Sequence, residues 1–339
     1  MKSKRVGAQT VRFDHPPSVV AGASVVGKKE GEGPLAGSFD IIENDSFMGE
    51  DTWERSESAL QRLALDTALQ KAGKERGDVD YVFAGDLLNQ CTGASFGLRD
   101  TGIPFFGVYG ACSTSAECLA LAAMALDGEY AECAAAVTSS HFCAAERQFR
   151  FPLEYGGQRT PTAQWTVTGA GAFILLREGT GPYVTHATCG KITDMGVTDA
   201  NNMGAAMAPA AHETLSAHFN DTRLGPGDYD LIVTGDLGLV GSAILVDLFL
   251  RDGIDIRDKH RDCGAMIFDP ARQDVKSGGS GCGCSAAVLA GHLLDGVRAG
   301  TWNKILFAAT GALLSVTSTQ QRESIPGICH AVAISGDPA

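Results

Sequence analysis

The sequence predicts an α/β protein, a doubled α/β/α/β/α sandwich of five layers. Three observations carry this: an internal repeat, strands alternating with helices in each half, and Ala- and Gly-rich helices that can pack between two sheets. Residues 80–87 read DYVFAGDL and residues 230–237 read DLIVTGDL, two short apolar runs that end in Gly-Asp-Leu, 150 positions apart. Residues 112–129 (CSTSAECLALAAMALDGE) resemble the run that starts at Cys284 (CSAAVLAGHLLDGVR), 172 positions on. Each of these cysteines lies 26 residues before a Thr that closes an apolar run, Thr138 or Thr310. The two offsets differ by 22, so the second half carries extra chain, which we assign to residues 253–276.

Each half reads in the same order. Apolar spacing predicts an amphipathic helix over 54–71, then a strand ending at Gly85-Asp86, a helix, a short strand, a Cys-led helix over 113–126 and an apolar strand over 131–138. The second half repeats this with a helix over 210–219, a strand ending at Gly235-Asp236, a further helix and short strand, a Cys-led helix over 285–299 and a strand over 304–310. Helices of ten or more residues between strands imply parallel crossover units. The expected division is 1–185 and 186–339, with a polar insertion at 145–164. Residues 194–211, rich in Met, Gly and Ala, read as a second insertion, either a cover over the site or packing at a dimer surface.

At 339 residues with 44% hydrophobic and 20% charged residues, the chain is long enough to bury a large core. A formal charge of −13 lacks the basic excess that phosphate backbones require, so no nucleic acid partner is expected. The ten cysteines sit in apolar segments without regular spacing and read as reduced core residues. No secretory h-region and no spanning apolar stretch is evident, which points to a cytoplasmic-type soluble chain. No metal is expected, because His260-Arg261-Asp262-Cys263 and Cys282-Gly283-Cys284 lack paired zinc spacing. Gly-rich residues 276–284 lack the Lys-Ser/Thr ending of a phosphate loop, and no dinucleotide fingerprint is present, so no cofactor is implied.

Duplicated halves with a Cys heading a buried Ala-rich helix (GACS, 110–113) resemble the thiolase fold of condensing enzymes. A closer resemblance is to the stage V sporulation protein AD family of spore-forming bacteria. It rests on KEGEGPLAGSFD (29–40), AGDLLNQ (84–90), GACSTS (110–115), TSSH (138–141), AERQFRFPLEYGGQ (145–158) and TGALLS (310–315), and spans nearly the whole chain. The resemblance implies binding of dipicolinic acid, pyridine-2,6-dicarboxylate, with or without calcium. It also implies support for that ligand's uptake with membrane proteins of the same sporulation operon, peripheral attachment at the forespore or spore inner membrane, and a homodimer.

Cys112 lies where a strand runs into a helix, so free N–H groups and the positive helix end would face its sulfur, an environment that suits a nucleophile. A small buried cysteine is the plainer account of such a residue. Thiolase-type condensation needs two His, or His and Asn, from the second half. The aligned positions supply Gly235-Asp236-Leu237 and Ser280-Gly281-Cys282 instead, which argues for a binding protein that keeps the pocket and loses the chemistry. Candidate ligand-binding residues are Cys112, Asp86 and Asn89 after the preceding strand, His141 near the sheet edge, and Arg147, Arg150 and Tyr155 in the insertion. Arginine forks match carboxylates and aromatic faces match a pyridine ring. Asp86 also reads as a turn cap, and the repeat at Asp236 supports that. The insertion reads equally as a dimer-interface loop. The alternatives are an acyl-transferring or condensing enzyme using Cys112 with His141 as base, and an assembly subunit without ligand.

Overall fold

The computed structural model describes residues 3–149 and 158–338. The first half supplies β1 (Thr10–Arg12), β2 (Ser18–Gly27), β3 (Ile41–Glu43), α1 (Trp53–Ala72), β4 (Tyr81–Gly85), α2 (Thr92–Leu98), β5 (Phe105–Gly107), α3 (Thr114–Asp127), β6 (Cys133–Ser140), α4 (Phe142–Phe149), β7 (Trp165–Thr166) and β8 (Gly169–Leu176). The second supplies β9 (Tyr183–Thr188), α5 (Met203–Thr222), β10 (Leu231–Thr234), α6 (Gly238–Arg251), β11 (His260–Asp262), α7 (Cys263–Ile267), β12 (Gly279–Ser280), α8 (Cys282–Val288), α9 (Leu294–Arg298), β13 (Lys304–Ala312), α10 (Val316–Gln320) and β14 (Gly327–Ser335).

The repeat appears as two matching strand sets. One runs β5-β4-β6-β8-β2 and the other β11-β10-β13-β14-β9, each with two parallel ladders followed by two antiparallel ones. The sets join edge to edge through the pair Ser18 and Tyr183, and β1 crosses to pair with β9. Between the sets lie α3 and the helix formed by α8, a π turn at Leu289–Leu293, and α9. Helices α1 and α2 cover one outer face, and α5 and α6 the other. This is the five-layer sandwich. Its middle layer is rich in small residues because the helices touch sheet backbone: a β-carbon on Gly171 of β8 would stand 2.5 Å from the Ala286 carbonyl. The hydroxyls of Ser115 and Ser285 meet at 2.7 Å between the two central helices.

The extra chain of the second half is distributed. Helix α6 has 14 residues where α2 has 7, and α7 with its following loop separates β11 from α8. The helix expected over 210–219 begins earlier, at Met203. Asn202 caps it, its side chain accepting from the Ala205 N–H, and Pro209 lies inside it. Half of the segment read as a second insertion, from Met203 on, is therefore helix, and the residues before Met203 precede it.

Candidate functional site

Cys112 heads α3 at the crevice where the carboxyl ends of β4, β6, β10 and β13 converge. Ala111 before it holds a left-handed φ of +51°, a conformation disfavoured for any residue with a β-carbon. Gly311 of β13 runs directly beneath: a β-carbon there would meet the Gly110 carbonyl at 2.4 Å and the Cys112 nitrogen at 3.2 Å. The glycine thus lets the second half's central strand support the cysteine turn. The N–H groups of this helix start, expected from sequence to be free to face the sulfur, are partly engaged: those of Ser113 and Thr114 donate to the Gly110 and Ala111 carbonyls.

Two residues from the second half face Cys112. Asp236, fully buried after β10, accepts from Thr310 Oγ1 at 2.8 Å, Ser280 Oγ at 3.2 Å and the Gly281 N–H at 2.8 Å. Ser280 Oγ lies 4.0 Å from Cys112 Sγ. The thiol is pushed well above the ordinary cysteine range by burial first, then by the Asp236 charge and a hydrogen bond to that carboxylate. Burial also raises the Asp236 carboxyl. An acceptor thus faces the sulfur, and it favours the neutral thiol over the thiolate.

A small cavity of about 40 Å³, partly open to solvent, lies before the thiol, well under the ~300–1,000 Å³ typical of small-molecule clefts. Its polar lining includes the Tyr109, Thr166 and Ser280 hydroxyls and the Asn89, Gln148 and Asn201 amides. Among the described residues the lining carries no positive charge.

The structure separates the residues nominated from sequence. Cys112 and Asn89 line this cavity. Asp86 does not. It is fully buried, accepts from the Leu88 and Ala94 N–H groups at 2.7 and 2.6 Å, and acts as the turn cap that starts α2. His141 lies on a different cavity, because its Nε2 is tied to the Ser46 carbonyl at 2.9 Å, and burial lowers its pKa. Arg147 turns away to pair with Glu54 over the Trp53 ring. Arg150 and Tyr155 lie outside the described residues. Asp236 went unrecognised as a site residue because its Gly-Asp-Leu turn copies that of Asp86. Gln148 and Asn201 carried no sequence signal.

Beneath the cavity, Asp86 meets a second buried carboxyl. Glu57 accepts from Ser139 Oγ at 3.1 Å, and the two carboxyl carbons lie 3.1 and 3.3 Å from where a Gly93 β-carbon would stand. Burial raises the Asp86 pKa to about 6 despite its backbone donors. Burial, then the Asp86 charge, raises Glu57 well above its usual value. Carboxyls raised in the folded state stabilise it at pH values where they stay protonated, and that contribution is lost as pH climbs from the unfolded value of about 4 through the raised one. Glu57→Gln removes the like charge, so the drop in melting temperature between pH 5 and pH 8 is expected to shrink. An unchanged drop in thermal melts would refute the coupling.

The model of the family described as stage V sporulation protein AD matches residues 7–335. A protein of Bacillus subtilis (strain 168) named stage V sporulation protein AD is 46% identical over 329 residues, covering 97% of each chain. Among solved structures, 3-oxoacyl-[acyl-carrier-protein] synthase III from Aquifex aeolicus VF5 superposes with a TM-score of 0.57 at 14% identity, over 94% of this chain and 99% of that one. Cerulenin-bound OleA of Xanthomonas campestris gives 0.60 at 16% identity, over 96% and 98%. At these identities the likeness establishes the thiolase-like fold.

Proposed function

Because the chain belongs to the stage V sporulation protein AD family, we propose that it binds dipicolinic acid in the Cys112 cavity without turnover and supports its uptake into the developing spore. The observation that carries the noncatalytic part is Asp236. A buried carboxyl beside the cysteine withdraws both the thiolate and the donor pair on which condensation depends. The ligand part follows from the family resemblance and is supported by the amide and hydroxyl groups that line the cavity, donors that two carboxylates could accept from. Arg150 remains the proposed fork for one carboxylate. Calcium, if it accompanies the ligand, would neutralise the dianion, for which the described lining residues offer no positive charge.

Membrane proteins of the same operon would move the ligand, with this chain docked peripherally on them at the forespore or spore inner membrane. No helix among the described residues is long and apolar enough to cross a membrane. The competing enzyme reading draws on the left-handed turn that presents Cys112 at the helix start. Titration calorimetry with dipicolinate and incubation with labelled acyl thioesters separate the two. Saturable dipicolinate binding with no turnover is expected, whereas Cys112 acylation with turnover and no dipicolinate binding would sink the proposal.

The reading includes a homodimer through β5. Among the described residues this strand ends the sheet and no strand pairs with its outer backbone edge, and Phe105 and Phe106 on it are 40% and 50% exposed with Tyr109 and Phe96 nearby in sequence. Replacing both Phe105 and Phe106 with Glu should convert the dimer to monomer in sedimentation at micromolar concentration. A parent chain that sediments as a monomer would contradict it.

A further inference from the structure

The cavity before Cys112 offers about 40 Å³. At the ~10–15 Å³ that each water needs, this is room for a few waters and too little for a pyridine ring carrying two carboxylates. A ligand enters only if part of the wall moves. Much of the wall is fixed by the sheets: Cys112 rests on Gly311, Thr166 and Ser280 sit in the paired strands β7 and β12, and Ala312 ends the ladder of β13 with β14. Ala200 and Asn201 before α5, and residues 314–316 after β13, come instead from two stretches outside the strands. No residue of 191–202 or 313–324 is buried, and Val197, Ala200 and Leu314 touch the second-half core while staying partly exposed. Segments with so little buried apolar surface are the ones that open locally.

Hydrogen bonds join the two stretches to each other. Thr193 and Gly327 exchange N–H···O bonds at 2.9 and 2.7 Å, and the Ile325 N–H donates to the Val197 carbonyl at 2.7 Å. Ser324 Oγ donates to Asp194 at 2.5 Å. The stretches therefore form one unit. Toward the first half, among the described residues, a single hydrogen bond holds that unit: Thr162 Oγ1 donates to the Asn201 carbonyl at 3.0 Å, at the exposed rim of the cavity. A neutral bond open to water is a weak tie.

We propose that residues 191–202 and 313–324 form one flap, hinged where Thr193 meets Gly327 at the start of β14, that swings off the Cys112 cavity to admit its ligand and closes behind it. The flap rests on the Cys112 reading for the identity of that ligand, while its motion is tested without one. The full chain carries Thr162→Cys with Asn201→Cys and Cys189→Ser, so that a short bis-maleimide bridges the rim. Peptide mass spectrometry confirms the bridge, and thermal melting checks the fold. In calorimetry the bridged chain should bind dipicolinate about tenfold or more weakly than the same chain capped with N-ethylmaleimide, because the bridge removes the open form. Trypsin cleavage after Arg322, exposed on the other stretch, should also slow about tenfold or more on bridging, since holding residue 201 holds both stretches. Equal dipicolinate affinity in the bridged and capped chains, or an unchanged cleavage rate at Arg322, would overturn the flap. Slowed cleavage at Arg322 in a chain that, even capped, binds no dipicolinate would uphold the flap and overturn the Cys112 reading instead.

Discussion

Cys112→Trp is expected to weaken dipicolinate binding at the Cys112 cavity by a hundredfold or more, while Cys112→Ala stays within about tenfold of the parent. Cys112 is 6% exposed and lines the cavity, so an indole there must project toward Ser280 and Ala312, into the space the ligand would occupy. The opposite wall is closed by Gly311, where even a methyl would press on the Cys112 nitrogen, leaving the larger ring no other direction. Overpacking costs about 1–3 kcal/mol, which the core of this chain should absorb, and thermal melting checks that it does. A hundredfold loss corresponds to about 2.7 kcal/mol. The alanine variant removes a weak donor and leaves the space, hence the small effect. A folded Trp variant with parent-like affinity in calorimetry would place the ligand outside this cavity.

Asp236→Asn is expected to make Cys112 reactive, and Asp236→Leu to destabilise the fold by several kcal/mol. The carboxylate receives three donors from buried groups, Thr310, Ser280 and Gly281. Leucine would orphan all of them, at about 1–3 kcal/mol each. Asparagine keeps one oxygen acceptor and removes the charge that, after burial, most raises the thiol. The thiol should then move down toward the ordinary value of about 8.5, and alkylation of Cys112 by iodoacetamide at pH 8 should accelerate about tenfold or more. Peptide mass spectrometry reads the site, with exposed Cys189 as the internal control. Equal rates in parent and Asp236→Asn would mean that burial alone silences the thiol.

Much of the architecture was legible because the repeat is local. The Gly-Asp-Leu turns mark the ends of β4 and β10, and the equal Cys-to-Thr spacing marks α3 with β6 and α8–α9 with β13. The start of α5 was not, since Pro209 and a Met-Gly-Ala run read as loop until the Asn202 cap is seen. The site was harder. Asp86 and Asp236 occupy the same turn in sequence yet play different roles. Asp86 caps its own turn, whereas in the second half Asp262 accepts from the Leu237 and Gly238 N–H groups. That frees Asp236 to turn toward Ser280, Thr310 and Cys112. The exchange depends on β11 pairing with β10, a contact that no local pattern encodes. His141 likewise answers to Ser46, 95 residues away, and Arg147 to Glu54.

The central claim is that the Cys112 cavity holds dipicolinate as a ligand rather than performing acyl chemistry. A crystal structure of the full chain grown with dipicolinate and an acyl thioester tests it most directly. The account predicts a planar dicarboxylate in the cavity between Tyr109 and Ser280, beside an unmodified Cys112 thiol. An acyl group on Cys112 Sγ with the cavity free of dipicolinate would contradict it.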